Sequence, residues 1–195
     1  MTMSRRRLLG LALLSEGGLV AIALGAAAYF KNIVFISSYE HILVDIVLGL
    51  LFAMPPLSLF LLFCIRPQHF LNSFRTVILR DVRQLFAGST ALDIAVISLM
   101  AGIGEELLFR GVLQAKIGIV WSSLIFGLLH FLTLEYFIIA TAMSFYLGEL
   151  CIYFNGVMVP VAAHFAYDLG ALIYLRFIYK NGGNSHMQSH QGKRI

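Results

Sequence analysis

The stretch LDIAVISLMAGIGEELLFRGVLQA, residues 92–115, combines the length of a membrane-spanning helix with three charged side chains in its second half. A helix of about 20 predominantly apolar residues crosses the hydrocarbon core of a bilayer. Glu105, Glu106 and Arg110 interrupt this apolar run. A charged group at mid-bilayer costs about 2.5 to 3.5 kcal/mol or more, so the three residues are candidates for function and need partners.

The whole chain has the composition of a membrane protein. Of its 195 residues, 59% are hydrophobic and 12% are charged, against about 25% charged in an ordinary soluble domain, and this excludes a soluble enzyme. Further spans are predicted at residues 8–30, 42–65, 117–134, 136–154 and 157–179. We therefore predict an all-α, polytopic transmembrane helical bundle of about six spans over residues 1–180, followed by a disordered cytoplasmic tail at 181–195.

The basic residues predict how the bundle is oriented. One side collects Arg5, Arg6, Arg7, Arg66, Arg75, Arg80, Arg83, Lys180, Lys193 and Arg194, and the other keeps Lys31 and Lys116. By the positive-inside rule both termini are cytoplasmic, and a bacterial inner membrane fits the size and the basic inner side. A secretory or twin-arginine signal peptide is the alternative for the first span, but its apolar stretch exceeds the usual 7 to 15 residues or so, which favours a retained helix.

Three local patterns complete the predicted architecture. Residues 68–86 alternate apolar side chains with arginines at near-helical spacing, which indicates an amphipathic helix in the membrane interface between spans two and three. Pro55 and Pro56 predict a local break in the second span. Cys64 and Cys151 support neither a disulfide framework nor a cysteine metal site. The basic residues lack the aromatic interleaving of a nucleic-acid groove, so no nucleic-acid partner is expected, and the apolar composition predicts the lipid bilayer as a partner.

Polar residues in three predicted spans fall at one depth. Glu105 lies roughly 17 Å before the turn predicted at residues 116–118, and His130 lies roughly 20 Å after it. From the turn at residues 155–156, His164 lies about 13 Å and Asp168 about 19 Å into the membrane. These four groups are therefore predicted to converge in one layer of the bundle.

Spacing within the helices supports this arrangement. Glu106 and Arg110 are four residues apart, so an intrahelical ion pair can compensate the buried arginine. His164 and Asp168 are also one turn apart. Gly102 and Gly104 allow a neighbouring span to approach closely beside the two glutamates.

The three motifs, Glu-Glu-x-x-x-Arg at residues 105–110, Phe-x-x-x-His at 126–130 and His-x-x-x-Asp at 164–168, resemble those of the CAAX prenyl protease 2 and bacteriocin-processing (CPBP, or abortive infection) family, in that family's order. The resemblance covers residues 92–174, a protease-like core. It implies an intramembrane endopeptidase whose partner is a membrane-associated peptide or protein substrate, with prenylated CAAX proteins among the family's substrates. It implies further that Glu105 is the general base for water and His130 its partner, that His164 with Asp168 stabilises the oxyanion, and that Glu106 and Arg110 support the site. Many members carry Asn at the position of Asp168, and an ionised Asp accepts hydrogen bonds but cannot donate them.

A metal mechanism is an alternative, because Glu105, His130 and His164 match the ligand types of a catalytic zinc site. No His-Glu-x-x-His helix is present, and Arg110 places a positive charge nearby, so we favour water activated by glutamate and histidine without a metal or another cofactor.

Other classes of function remain open at this point. A non-catalytic membrane protein, such as a bacteriocin immunity factor or a scaffold, would use the same polar residues to hold its helices together. A small transporter would use them as a proton relay, although no inverted repeat favours it. Structural roles are predicted for Glu16, Asp45, Asp93 and Glu149, with Glu149 also a candidate for the substrate path.

Overall fold

The computed structural model describes residues 3–30, 41–66 and 71–179, and within these ranges the regular backbone structure is helical. The predicted tail at 181–195 lies outside the described residues. The helices are α1 (Arg5–Phe30), α2 (Ile42–Phe52), α3 (Met54–Ile65), α4 (Asn72–Thr76), α5 (Arg83–Leu85), α6 (Ala91–Glu106), α7 (Ala115–Leu129), α8 (Leu134–Tyr153) and α9 (Met158–Ile173). Three π-helical stretches join or extend them, at Val77–Val82, Leu107–Gln114 and Tyr174–Ile178.

Five helical stretches of the described chain are long and apolar enough to cross a membrane. The third of them, Ala91–Leu129, counts 39 residues only because it includes a sharp turn. Gly118 has φ 80° and ψ 165°. Glycine adopts this conformation readily, and a residue within a helix does not. The chain reverses there, and α7 packs back on Leu107–Gln114, with the Ser122 hydroxyl donating to the Phe109 carbonyl at 3.0 Å. The predicted all-α transmembrane bundle is thus confirmed, with six helical segments in the predicted order.

The fourth segment is shorter than predicted. Its helix ends at Leu129 rather than at residue 134, which leaves roughly 16 Å of helix after Gly118, about half of a hydrocarbon core. Thr133 ends the connection by accepting a hydrogen bond from the Tyr136 backbone amide and so caps α8. This turn places His130 at the end of a helix rather than inside one.

The middle of the second span is interrupted as predicted. Regular helix stops at Phe52 and resumes at Met54, with proline at the first helical positions of α3. Close helix packing occurs on either side of α9. Gly49 of α2 faces Ala162 with no room for a side chain, and a β-carbon on Gly102 of α6 would lie 3.1 Å from the Val161 carbonyl oxygen. Glycine thus lets both helices approach α9 closely, as predicted for Gly102.

Several predicted basic segments meet at one face of the bundle. Arg5 at the start of α1 binds both carboxylate oxygens of Asp93, at 2.6 and 2.8 Å, while Asp93 also forms a capping box with Thr90 at the start of α6. Arg176 at the end of α9 donates to the Ser89 carbonyl at 3.3 Å. The helical segment from Asn72 to Leu85 lies at the same face, with Phe74 and Ile78 buried in the bundle core. The predicted amphipathic helix is therefore present between spans two and three.

Candidate active site

The two glutamates stand where α6 changes from α- to π-helical geometry. Glu106 is the last α-helical residue, and the π-helical stretch Leu107–Gln114 follows directly. Such π-helical turns often occur at functional sites. The Glu106 side chain is fully buried, whereas 12% of the Glu105 side chain is exposed. Adjacent residues of the same type therefore have different surroundings.

Glu106 is held by direct contacts on both carboxylate oxygens. Its Oε2 lies 2.9 Å from Nε of Arg110, one turn later, and its Oε1 lies 2.7 Å from Nδ1 of His164 in α9. Arg110 also donates from Nη2 to the carbonyl and hydroxyl oxygens of Ser144 in α8, at 2.9 and 3.1 Å. These contacts join three helices and compensate a buried cation with a buried anion, the condition under which burial of both is tolerated.

His130 is oriented by Phe126, one turn earlier in α7. Nδ1 of the imidazole donates to the Phe126 carbonyl at 2.9 Å, and the two rings stack with centroids 4.3 Å apart. The Arg110 guanidinium lies 5.2 Å from the centroid of the Phe126 ring. Because Nδ1 is the donor in the neutral ring, Nε2 carries the lone pair. That lone pair is available to accept a proton or a hydrogen bond.

Glu105 faces two imidazoles without touching either. Its Oε1 lies 3.8 Å from Nε2 of His130, and its Oε2 lies 3.8 Å from Nε2 of His164. Both distances exceed a hydrogen bond, and groups at such a separation are commonly bridged by a water molecule. Asp168, on the next turn of α9, brings Oδ2 to 3.5 Å from Nε2 of the same His164. The structure thus places all six sequence-predicted site residues together in one cluster.

The donor types of the cluster suit zinc, but their arrangement does not form a ligand set. Zinc requires His nitrogens at about 2.0 to 2.1 Å and carboxylate oxygens at about 2.0 to 2.2 Å from one point. Among the described residues, no group of three His, Cys, Asp or Glu side chains is arranged to hold a metal ion. We therefore derive no step through a metal.

Three residues near the cluster were missed by sequence reasoning. Ser144 binds Arg110 and Phe126 orients His130, and neither role has a sequence signal beyond the Phe-x-x-x-His motif. Glu16 of α1 also reaches the site, because a β-carbon on Gly104 would lie 2.9 Å from the Glu16 carbonyl oxygen and 3.5 Å from its Oε2. The sequence predicts that a neighbouring span approaches closely at Gly104, and the structure shows that this span is α1.

Two other acidic residues lie apart from the cluster. Asp93 caps α6 and binds Arg5, as the structural role predicted for it requires. Glu149 is exposed on α8. Glu149 serves as a reference acid in the experiments below.

An apolar cavity of about 520 Å³ is present in the described part of the bundle, and none of the six cluster residues lines it. It lies between α3 and α8, and Tyr167, which directly precedes Asp168, forms part of its wall. Other lining residues are Pro55, Leu59, Phe63, Ala142 and Met143. The cavity can accept an apolar chain that extends away from the polar cluster.

The middle of the chain is similar to a known protein family. Residues 87–170 match the family model described as Type II CAAX prenyl endopeptidase Rce1-like, which confirms the resemblance indicated by the three motifs. The uncharacterized protein YpbD of Bacillus subtilis is 35% identical over 116 residues, which cover 57% of this chain and 61% of that relative. No solved structure matches the chain.

Proposed function

Since residues 87–170 are Rce1-like, we propose that this integral membrane protein is an intramembrane endopeptidase that hydrolyses peptide bonds in membrane-associated substrates. One observation carries the proposal. The Glu105 carboxylate lies 3.8 Å from Nε2 of both His130 and His164, which leaves space for a water molecule among three groups that can exchange protons with it. Proton transfer by groups so positioned typically accelerates a reaction by about 10² to 10⁴.

In the proposed reaction, a water molecule donates hydrogen bonds to Glu105 and to the lone pair on Nε2 of His130. Glu105 takes a proton as the water oxygen attacks the carbonyl carbon of the substrate. The new C–O bond forms a tetrahedral intermediate, whose negative oxygen can accept a hydrogen bond from Nε2 of His164 when that ring is protonated. Glu105 then returns the proton to the nitrogen as the C–N bond breaks, which yields an amine and a carboxylic acid.

Glu106, Arg110 and Ser144 act as positioning residues in this proposal. Nδ1 of His164 donates to Glu106, so Nε2 is the nitrogen that faces Glu105. Arg110 in turn holds Glu106 through an ion pair of 2.9 Å. Oδ2 of Asp168 lies 3.5 Å from the same Nε2 and attracts the ring when the ring is protonated, so in this proposal an ionised carboxylate orients the imidazole.

The apolar cavity supports a substrate that carries a lipid chain, such as a prenylated CAAX-type peptide. Its wall includes Tyr167, beside Asp168, so a chain in the cavity would lead to the polar cluster. Ala142→Trp, which places a large side chain at the cavity wall, is expected to raise KM for a prenylated peptide more than for the same peptide without its lipid. An equal change for both peptides would contradict this choice of substrate.

The proposed activity is tested by cleavage of lipidated and unlipidated peptides with the purified chain in detergent. Glu105→Gln keeps the shape of the side chain and removes the base, so cleavage should disappear, while Glu149→Gln should cleave at the wild-type rate. Addition of a chelator should leave wild-type cleavage unchanged. Loss of cleavage with the chelator would establish the zinc alternative with Glu105, His130 and His164, and wild-type cleavage by Glu105→Gln would overturn the proposed mechanism.

The alternative is a non-catalytic protein of the same type, such as an immunity or scaffold factor. In that case Glu105→Gln would retain any cellular protection that the wild-type chain confers.

We also propose that the basic face, which includes Arg5, Arg83 and Arg176, is the cytoplasmic face of a bacterial inner membrane. Labelling of single cysteines introduced at residues 66 and 116 in intact cells should modify only the second position.

A further inference from the structure

A second cavity, which is polar, lies at the basic face of the bundle and is lined by residues outside the glutamate cluster. Its volume is about 550 Å³, and four arginines contribute to its wall: Arg75, Arg80, Arg83 and Arg176. The first three belong to the helical segment between spans two and three, and the fourth belongs to the π-helical end of span six. Two separate elements therefore direct guanidinium groups at one space.

Backbone carbonyls hold these guanidinium groups in place. Arg83 donates to the carbonyls of Leu175 and Tyr179 at 3.1 and 3.4 Å. Arg176 donates to the Ser89 carbonyl at 3.3 Å, and Arg75 donates to the Cys64 carbonyl at 3.5 Å. A carbonyl fixes the orientation of a guanidinium group without neutralising its charge. The guanidinium groups of Arg75 and Arg176 are thus preorganised for an anion, and Arg83 is fixed beside them.

Among the described residues, the cavity wall carries no acidic side chain. Asp81 lies beside it and is paired with Arg80, its neighbour in sequence, at 2.8 Å. In the described part of the chain, Arg75 and Arg176 form no ion pair with an acid. Nε of Arg75 is moreover buried and has no hydrogen-bond partner among the described residues. A buried donor without a partner is costly.

Exposed apolar side chains lie beside the cavity. Next to Arg176 at the end of span six, Phe177 and Ile178 are 50% and 59% exposed. A ligand with a phosphate and an attached hydrocarbon chain can contact the arginines and these two apolar side chains at once, whereas a free phosphate contacts only the arginines.

We propose that this cavity binds the phosphodiester headgroup of an anionic phospholipid. Arginine binds phosphate oxygens through paired hydrogen bonds, and basic pockets between transmembrane helices bind anionic headgroups in this way. The membrane supplies such headgroups at high local concentration beside the cavity. Bound lipid links the interfacial helical segment to the end of span six. The proposal does not depend on the protease activity.

Lipid retention by the full chain tests the proposal. The purified protein is incubated in mixed micelles with equal amounts of phosphatidylglycerol and phosphatidylcholine, and the lipid that remains bound is counted by native mass spectrometry. Wild-type protein should retain at least about fivefold more phosphatidylglycerol, the preference expected when one arginine contributes near a membrane surface. The Arg75→Gln/Arg176→Gln double variant should lose this preference. Arg66→Gln, an exposed arginine outside the cavity, is the matched control and should keep it.

A third variant and a competition measurement complete the test. Arg80→Gln changes a side chain that is 71% exposed, so it should fold normally and lower the preference about two- to fivefold. Excess inorganic phosphate should leave retention of phosphatidylglycerol unchanged. Equal retention of the two lipids by the wild type, an equal loss in Arg66→Gln, or displacement of the lipid by inorganic phosphate would each overturn the assignment.

Discussion

The two halves of the buried polar cluster differ in how closely their atoms approach one another. Around Glu106, the partners Arg110 and His164 lie at 2.9 and 2.7 Å. Around Glu105, the imidazole nitrogens of His130 and His164 lie at 3.8 Å. The first half is closed by direct hydrogen bonds and ion pairing, and the second is open enough to admit a water molecule.

This difference shows how consecutive glutamates can take separate roles. Burial inside a membrane protein requires that charges be compensated, and the closed half meets this requirement with Arg110 and Ser144. His164 belongs to both halves, because its Nδ1 binds Glu106 and its Nε2 faces Glu105. The closed half therefore orients a group that the open half uses. Variants of the closed half should affect stability first, and variants of the open half should affect turnover first.

The largest stability effect is expected from Arg110→Met. The change leaves the Glu106 carboxylate buried without its cation, and such a loss costs about 3 to 5 kcal/mol. Thermal unfolding in detergent measures it, with Arg80→Met at an exposed site as control. Equal unfolding temperatures for wild type and Arg110→Met would show that the closed half does not stabilise the fold.

His130→Gln should act on the open half alone. It removes the Nε2 lone pair that faces Glu105, so cleavage is expected to fall by about 10². The unfolding temperature should stay near the wild-type value, since His130 is at a helix end and its side chain is 32% exposed. A large drop in unfolding temperature would mean that His130 supports the fold and would weaken the division between the halves.

A smaller effect is expected from Ser144→Ala in the closed half. This change removes the hydroxyl contact with Nη2 of Arg110 but keeps the carbonyl contact at 2.9 Å. The expected loss of stability is about 1 kcal/mol, the contribution of one hydrogen bond, with cleavage nearly unchanged. If Ser144→Ala abolished cleavage without unfolding, the closed half would take part in the reaction itself.

The smallest effect is expected from Glu149→Gln. Glu149 lies in the same helix as Ser144 but is exposed, and surface changes without specific contacts typically alter stability by less than about 0.5 kcal/mol. Both the cleavage rate and the unfolding temperature should match those of the wild type. A reduced rate with an unchanged temperature would instead place Glu149 on the substrate path.

Much of the cluster could be predicted because its members occur at helical spacing within apolar runs. The separation of Glu106 from Arg110 predicts the ion pair that the structure contains. Residue counts from Gly118 and from the turn near residue 155 predict similar depths for Glu105, His130 and His164. These inferences hold because the rise per residue of a helix is nearly constant.

Other features depended on contacts between helices, which hydropathy does not reveal. Phe131, Leu132 and Leu134 continue the apolar run of the fourth segment, although the helix ends at Leu129. Thr133, a good N-cap residue, marks in the sequence where the next helix begins. Ser144 and Glu16 reach the cluster only through the packing of α8 and α1, so their positions required the structure.

The central claim is that Glu105 performs chemistry while Glu106 holds the site, and it is tested by Glu105→Gln and Glu106→Gln measured on the same samples for cleavage and thermal unfolding. We predict that Glu105→Gln loses cleavage by about 10² or more and unfolds within about 2 °C of the wild type, whereas Glu106→Gln unfolds several degrees lower. Glu105→Gln that cleaves at the wild-type rate, or that unfolds like Glu106→Gln, would contradict the claim.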